Sequence, residues 1–252
     1  MNTNDQTKSI NLKKILIVLV IAIVVITGVV VAFSIQNAKK IKQDAITELA
    51  LKEGFKLSSG LTVKQTAKAL DKAGFVDKDE FLQAAAAIDA EEFDYLDPAI
   101  EGYSKLEGFL LPTKYEVSKD ADATMMVITM LNEFENAFTD EYKDRADELG
   151  MSIRDIIVIA SVIETETDID SERAKISAVI HNKLNMGKKF EGGFPENPLC
   201  SPSVESIKAA LYPEDNEDIY YVLSDKLNGS HVFTSDKKEY KELKKAYEEA
   251  TK

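Results

Sequence analysis

Between Lys14 and Lys39 the chain carries no charged residue, and the first part of that interval, Ile15 to Phe33, reads ILIVLVIAIVVITGVVVAF. A helix over the 24-residue gap spans roughly 36 Å, enough to cross a bilayer core of about 30 Å. A cleaved signal peptide is the alternative, with Ala32-Phe33-Ser34 as a small-residue cleavage site. The run exceeds the usual apolar core of a signal peptide, which favours an uncleaved single-pass anchor. Lys8, Lys13 and Lys14 precede the span and Lys39, Lys40 and Lys42 follow it, so flanking charge sets no orientation. A short tail before the span and a long polar chain after it place the tail in the cytoplasm. The bulk then lies on the outer side of a cell membrane.

That bulk is acidic. The chain has 252 residues with 31 Lys and Arg against 44 Asp and Glu, a net charge of −13, and beyond residue 35 the net is −15. Such a balance argues against nucleic acid as a partner, because binding phosphates requires clustered cations. One Cys and two His are too few for a closed zinc site, an iron–sulfur cage or an internal disulfide framework, so no cofactor or metal is expected. An apolar fraction of 44% is enough for an ordinary core.

Capping residues and turns divide the remainder into pieces. Gln36 to about Glu53 has helical spacing and continues the anchor. Phe55-Lys56-Leu57 alternates like a strand and turns at Ser58-Ser59-Gly60. Thr62 caps a helix closed by Gly74, and Asp77 with Glu80 opens another to about Ile88. The apolar, aromatic stretch Glu107 to Val117 around Pro112 predicts extended or edge segments. Ala121 to Leu149 reads as one long helix stopped by Gly150. Ser152 caps Ile153 to Glu166, Ser171 caps a helix to Met186, and Ser201-Pro202 opens a short helix to Leu211. Tyr220 to Ser224 and His231 to Phe233 predict a hairpin across Asn228-Gly229. Ser235 caps a final polar helix to about Ala250. The fold class is α+β: a transmembrane helix, a small strand–helix–helix unit, and a mainly helical domain carrying a β-hairpin.

Ile156 to Ile163 is apolar on every face and predicts a buried helix, with Glu164 and Glu166 at its C-terminal end. Burial and the helix dipole both predict a raised pKa there, the property a general acid needs near neutral pH. The two carboxylates point to nearly opposite faces, Glu164 with the small residues Ala160 and Ser161 and Glu166 with Val162 and Ile163. The competing reading of ETETDIDSE is a solvated acidic junction, which composition alone favours. A calcium loop through Asp168, Asp170 and Glu172 lacks its turn glycine and terminal Glu. His231 and Cys200 are isolated in sequence, and no P-loop, G-x-G-x-x-G or G-x-S-x-G motif occurs.

These segments, taken in order, resemble the YceG-like family of membrane-bound endolytic murein transglycosylases. Leu106 to Tyr115 is similar to the family's LEGYLFPDTY segment, and Ile159 to Thr167 to its ASIIEKET helix. Ile176 to Leu184 is similar to IASVFINRL, and Pro198 to Pro202 with Ile207 to Pro213 to GPICNPG…IKAALNP. Tyr220 to Val222 and His231 to Phe233 are similar to the closing hairpin. The resemblance implies three parts: an anchor over 1–36, a linker helix and LysM-like subdomain over 37–100, and a transglycosylase domain over 101–252. It implies that Glu164 is the catalytic acid and base, with Glu166, Asn182 and His231 on the substrate side. It further implies cleavage of the MurNAc–GlcNAc bond of peptidoglycan to 1,6-anhydroMurNAc ends during cell wall assembly. The implied partners are glycan strands, the membrane and cell-wall synthesis proteins.

The chain departs from the pattern after Met186-Gly187-Lys188-Lys189-Phe190, where family members carry a groove-lining segment of several dozen residues absent here. The family's late Glu-His is Glu239-Tyr240. Retention of Glu164 favours an active, shortened enzyme, whereas loss of the groove segment favours a weak or inactive relative that binds peptidoglycan or cell-wall synthesis proteins. With so acidic an exterior, sugar contacts are expected from aromatics such as Phe109, Tyr115 or Tyr220 rather than from bulk attraction.

Overall fold

The computed structural model describes residues 32, 34–37, 40, 54–117, 121–187 and 193–252. The chain divides into two units, residues 1–49 and 50–252. In the first, the described residues are helical and exposed. The apolar run at 15–33 falls almost wholly outside the described residues, as does the linker helix to Glu53. Among the described residues no helix is long and apolar enough to cross a membrane.

The second unit begins with a minimal antiparallel pair. Strand β1 (Phe55–Lys56) pairs with β2 (Lys114–Tyr115) in the register Phe55 to Tyr115 and Lys56 to Lys114. Between them lie helix α1 (Val63–Ala73), helix α2 (Lys78–Ala87) and two 3-10 turns, Ala90–Glu92 and Gly102–Leu106. Thr62 caps α1 in a reciprocal box with Gln65, and Gly74 closes it at φ 82°. Asp77 caps α2 through the N–H groups of Asp79 and Glu80. The buried Lys105 ammonium donates to the carbonyls of Ala86 and Ile88, closing the C-terminal end of α2. This small unit shares one core with the rest: Leu57, Leu70, Phe81, Phe109, Phe134 and Ile156 are all buried within the same cluster.

The expected long helix over 121–149 is two, α3 (Ala123–Ala137) and α4 (Asp140–Glu148). Phe138 and Thr139 leave helical geometry between them, at ψ 76° and 165°. Phe138 is buried and stacks on Phe134 at 5.7 Å; the break turns α4 without exposing either ring. Gly150 follows at φ 67°. Helix α5 (Ile153–Glu166) is capped by Ser152 in a reciprocal box with Asp155, and its residues Ile156 to Ser161 and Ile163 are buried.

Three further expected caps move by one or two residues. Helix α6 (Asp170–Asn185) starts from Ile169 rather than Ser171, helix α7 (Val204–Leu211) is capped by Ser203 rather than Ser201, and helix α8 (Lys237–Ala250) by Asp236 rather than Ser235. Strands β3 (Tyr220–Leu223) and β4 (His231–Thr234) form the expected hairpin, with Tyr221 opposite Phe233 and Leu223 opposite His231. Among the described residues the architecture is α+β, with helices in the majority and two small two-stranded sheets. Helices α5, α6 and α7 pack on one another, and α8 lies on the hairpin.

Candidate active site

The C-terminal turn of α5 delivers two carboxylates into different surroundings. Glu164 turns toward the protein: its side chain is 7% exposed, and one oxygen, Oε2, collects a shell of donors. The Ser203 N–H donates to it at 3.0 Å, the Ser203 hydroxyl at 2.5 Å, the Ser206 hydroxyl at 2.7 Å and Arg173 Nη1 at 3.3 Å. Arg173 also donates to Ser206 Oγ at 2.6 Å and reaches Asp170 through Nε at 3.3 Å. Ser59, in the turn after β1, lies beside this shell and favours the charged carboxylate.

The expected raised pKa at Glu164 is not what this environment produces. Burial pushes the carboxyl up and is the largest single influence. The hydrogen bonds from Ser203, Ser59, Ser206 and the Ser203 backbone together outweigh it and hold the carboxyl below the ordinary value. Donors that favour the charged form win over desolvation here, because they converge on one anion in a site too dry to offer it water. Glu164 is therefore a fixed anion that ties α5, α6 and α7 together; its carboxylate sits at the start of α7, where unpaired N–H groups favour negative charge.

Glu166 turns outward. It lines a cleft of about 400 Å³ together with Val162 of the same helix and Lys183 of α6. Phe194, Pro195 and Leu199 form a second side, and Tyr220, Tyr221 and Tyr240 a third. Tyr220 and Tyr240 are stacked at 4.7 Å with 18° between ring planes, and Lys183 Nζ lies 5.5 Å from the Tyr220 ring centre. The Tyr221 hydroxyl donates to Glu166; burial first and then this carboxylate push its pKa up, so it remains a proton donor. The cleft has the character of a sugar site: flat aromatic faces, one acid and one cation.

The other expected site residues fall elsewhere. Asn182 donates to the carbonyls of Asn216 and Asp218, both at 2.9 Å, and so fastens the approach to β3. The His231 ring, with its side chain 2% exposed, pairs through Nδ1 with Glu172 Oε2 at 2.8 Å, while its backbone N–H donates to Glu172 Oε1. Neither lines the cleft. His231 holds the hairpin to α6, and Asn182 holds α6 to the loop that follows α7. Of the aromatics considered for stacking, Phe109 and Tyr115 are core residues and Tyr220 lines the cleft. The Cys200 thiol is buried and pushed up to about 12 by desolvation. Among the described residues no group of His, Cys, Asp and Glu is arranged to hold a metal ion.

Ser59, Arg173, Ser203, Ser206 and Tyr221 escaped the sequence reading. None of the five left a signal in its own stretch of sequence, because each acquires its role from residues distant along the chain.

The chain resembles known proteins along most of its length. The solved YceG-like protein of Listeria monocytogenes superposes with a TM-score of 0.64 over 76% of each chain, at 19% identity, a likeness of fold. The protein named endolytic murein transglycosylase in Bacillus subtilis is 25% identical over 174 residues, covering 56% of this chain and 48% of the relative. This chain thus matches about half the length of that relative. The pattern of the YceG-like family matches residues 33–192 and 189–246, two blocks that overlap at 189–192. With that coverage, the chain belongs to the YceG-like family.

Proposed function

We propose that this protein is an endolytic murein transglycosylase, and that Glu166 is its proton-transfer group. One observation carries the reading: of the two carboxylates on the turn that matches the family's catalytic helix, Glu166 opens into the aromatic cleft while Glu164 is enclosed by hydrogen-bond donors. In the proposed reaction the protonated carboxyl gives its proton to the glycosidic oxygen as the C1–O bond of the muramic residue breaks. The C6 hydroxyl of the same sugar attacks C1, and its proton returns to the carboxylate. The products are a 1,6-anhydromuramic end and a free 4-hydroxyl on the N-acetylglucosamine. Because the nucleophile belongs to the substrate, the second carboxylate of ordinary glycosidases is not needed. Glu164 orients the turn that carries Glu166. The apolar run at 15–33 serves as the anchor and the small unit as a LysM-like module, on the outer face of the cell membrane.

The family resemblance assigns proton transfer to Glu164 instead. Mass spectrometry of peptidoglycan digested by the protein separates the two assignments. Glu166→Gln is expected to abolish anhydromuramic ends, while Glu164→Gln reduces them and loosens the fold; loss confined to Glu164→Gln transfers the role to Glu164. The division of the family match into two blocks at 189–192 supports a second reading, a peptidoglycan-binding relative without turnover. Sacculus binding with no anhydro product from the unaltered protein selects that reading.

A further inference from the structure

The turn Ser58 to Leu61 belongs to the small unit by sequence, yet its contacts lie with the candidate site. Gly60 N–H donates to the Ser201 carbonyl and Ser201 N–H to the Leu61 carbonyl, both at 2.9 Å. This reciprocal pair fixes the turn to the loop that runs from the cleft-lining Leu199 to Ser203, the cap of α7. The turn is anchored on its other side as well. Leu57 N–H donates to the Thr113 carbonyl at 2.9 Å, and Val63 N–H donates to the half-buried Glu107 carboxylate at 3.2 Å. Held from both ends, the turn places the exposed Ser59 beside Glu164.

We infer that the small unit is part of the active site rather than a separable wall-binding module, with Ser59 as a positioning residue that fixes Glu164 and, through Leu199 and α7, the geometry of the cleft. The inference rests on the cleft being the catalytic site. A tethered module would leave the site whole without it; here both hydrogen bonds to the Ser201 backbone, and the serine beside the central anion, come from the small unit. Ligand binding on that unit is then felt at the cleft through a path of four residues, Leu61 to Ser201 and along the chain through Cys200 to Leu199.

The test compares Ser59→Ala and Ser59→Thr in the full-length protein, with two readouts. The first is the titration of the Glu164 side-chain carbonyl by carbon-13 NMR, assigned with Glu164→Gln. Loss of one donor to the anion in Ser59→Ala is expected to raise its midpoint by on the order of half a pH unit or more, and Thr, which keeps the hydroxyl, to restore it. The second is anhydromuramic product formation on purified peptidoglycan, where kcat is expected to fall on the order of tenfold in Ser59→Ala with KM within about twofold. An unmoved titration in Ser59→Ala overturns the inference, as does equal loss in both variants. A shifted titration in a protein that forms no product from the start upholds the positioning role and rejects the enzymatic reading instead.

Discussion

Glu107 is where pH and fold are most directly coupled. Its two carboxylate oxygens accept from Val63 N–H at 3.2 and 3.3 Å, at the first turn of α1. Burial raises its pKa from 4.5 to about 7, against the opposing effect of that N–H. The folded chain therefore binds a proton that the unfolded chain has released between pH 4.5 and 7. Stability is full below the unfolded value and declines as pH rises through the folded one. The displacement corresponds to roughly 3 kcal/mol at 1.36 kcal/mol per pH unit. Partial solvent access and the favourable charge at a helix N-terminus reduce this to roughly 1–2 kcal/mol. Glu107→Gln keeps an acceptor for Val63 N–H and removes the titration. Urea unfolding from pH 4 to 9 is expected to show the variant within about 0.5 kcal/mol of the parent at pH 4 and roughly 1–2 kcal/mol more stable at pH 8. Parallel curves, or a variant less stable at pH 8, refute the reasoning.

Two further outcomes follow from the packing. A Cβ at Gly108, whose φ is +90°, meets Ile157 Cγ2 at 2.6 Å and Pro198 Cβ at 2.7 Å. Gly108→Ala is expected to cost roughly 2–4 kcal/mol by strain and overpacking, read as a lower urea midpoint; a change under about 0.5 kcal/mol contradicts the close approach. Asn182→Ala strands two half-buried carbonyls and His231→Ala the buried Glu172 carboxylate, so both are expected to lose about 1–3 kcal/mol of stability with KM unchanged. A raised KM at unchanged melting temperature returns either residue to the substrate side.

Local signals were the legible part of this fold. Thr62, Asp77 and Ser152 cap the helices their spacing indicates, and the β3–β4 hairpin follows its alternating pattern. Boundaries slipped where capping residues stand close together, as at Asp170-Ser171, Ser201-Pro202-Ser203 and Ser235-Asp236. Tertiary contacts choose among them: the backbone of Ser201 is engaged by the 60–61 turn, and Ser203 is left to cap α7. The electrostatics of Glu164 were not legible for the same reason. Its donors come from positions 59, 173, 203 and 206, and no window of sequence around α5 contains them. The turn holding both carboxylates was visible; which of them meets solvent was decided by its distant neighbours.

Helix α8 gives the cleft an uneven mechanical character. It has no buried residue, rests on the β-hairpin, and supplies Tyr240 to one wall. The facing wall comes from α5, whose interior residues lie in the core. Opening free energy follows buried apolar contact, so α8 belongs to the low-energy end of the local unfolding spectrum and α5 to the global end. Amide exchange along α8 accordingly runs ahead of exchange along α5. A ligand entering beside α8 meets a wall that yields, while the carboxylate on α5 stays in register with the core.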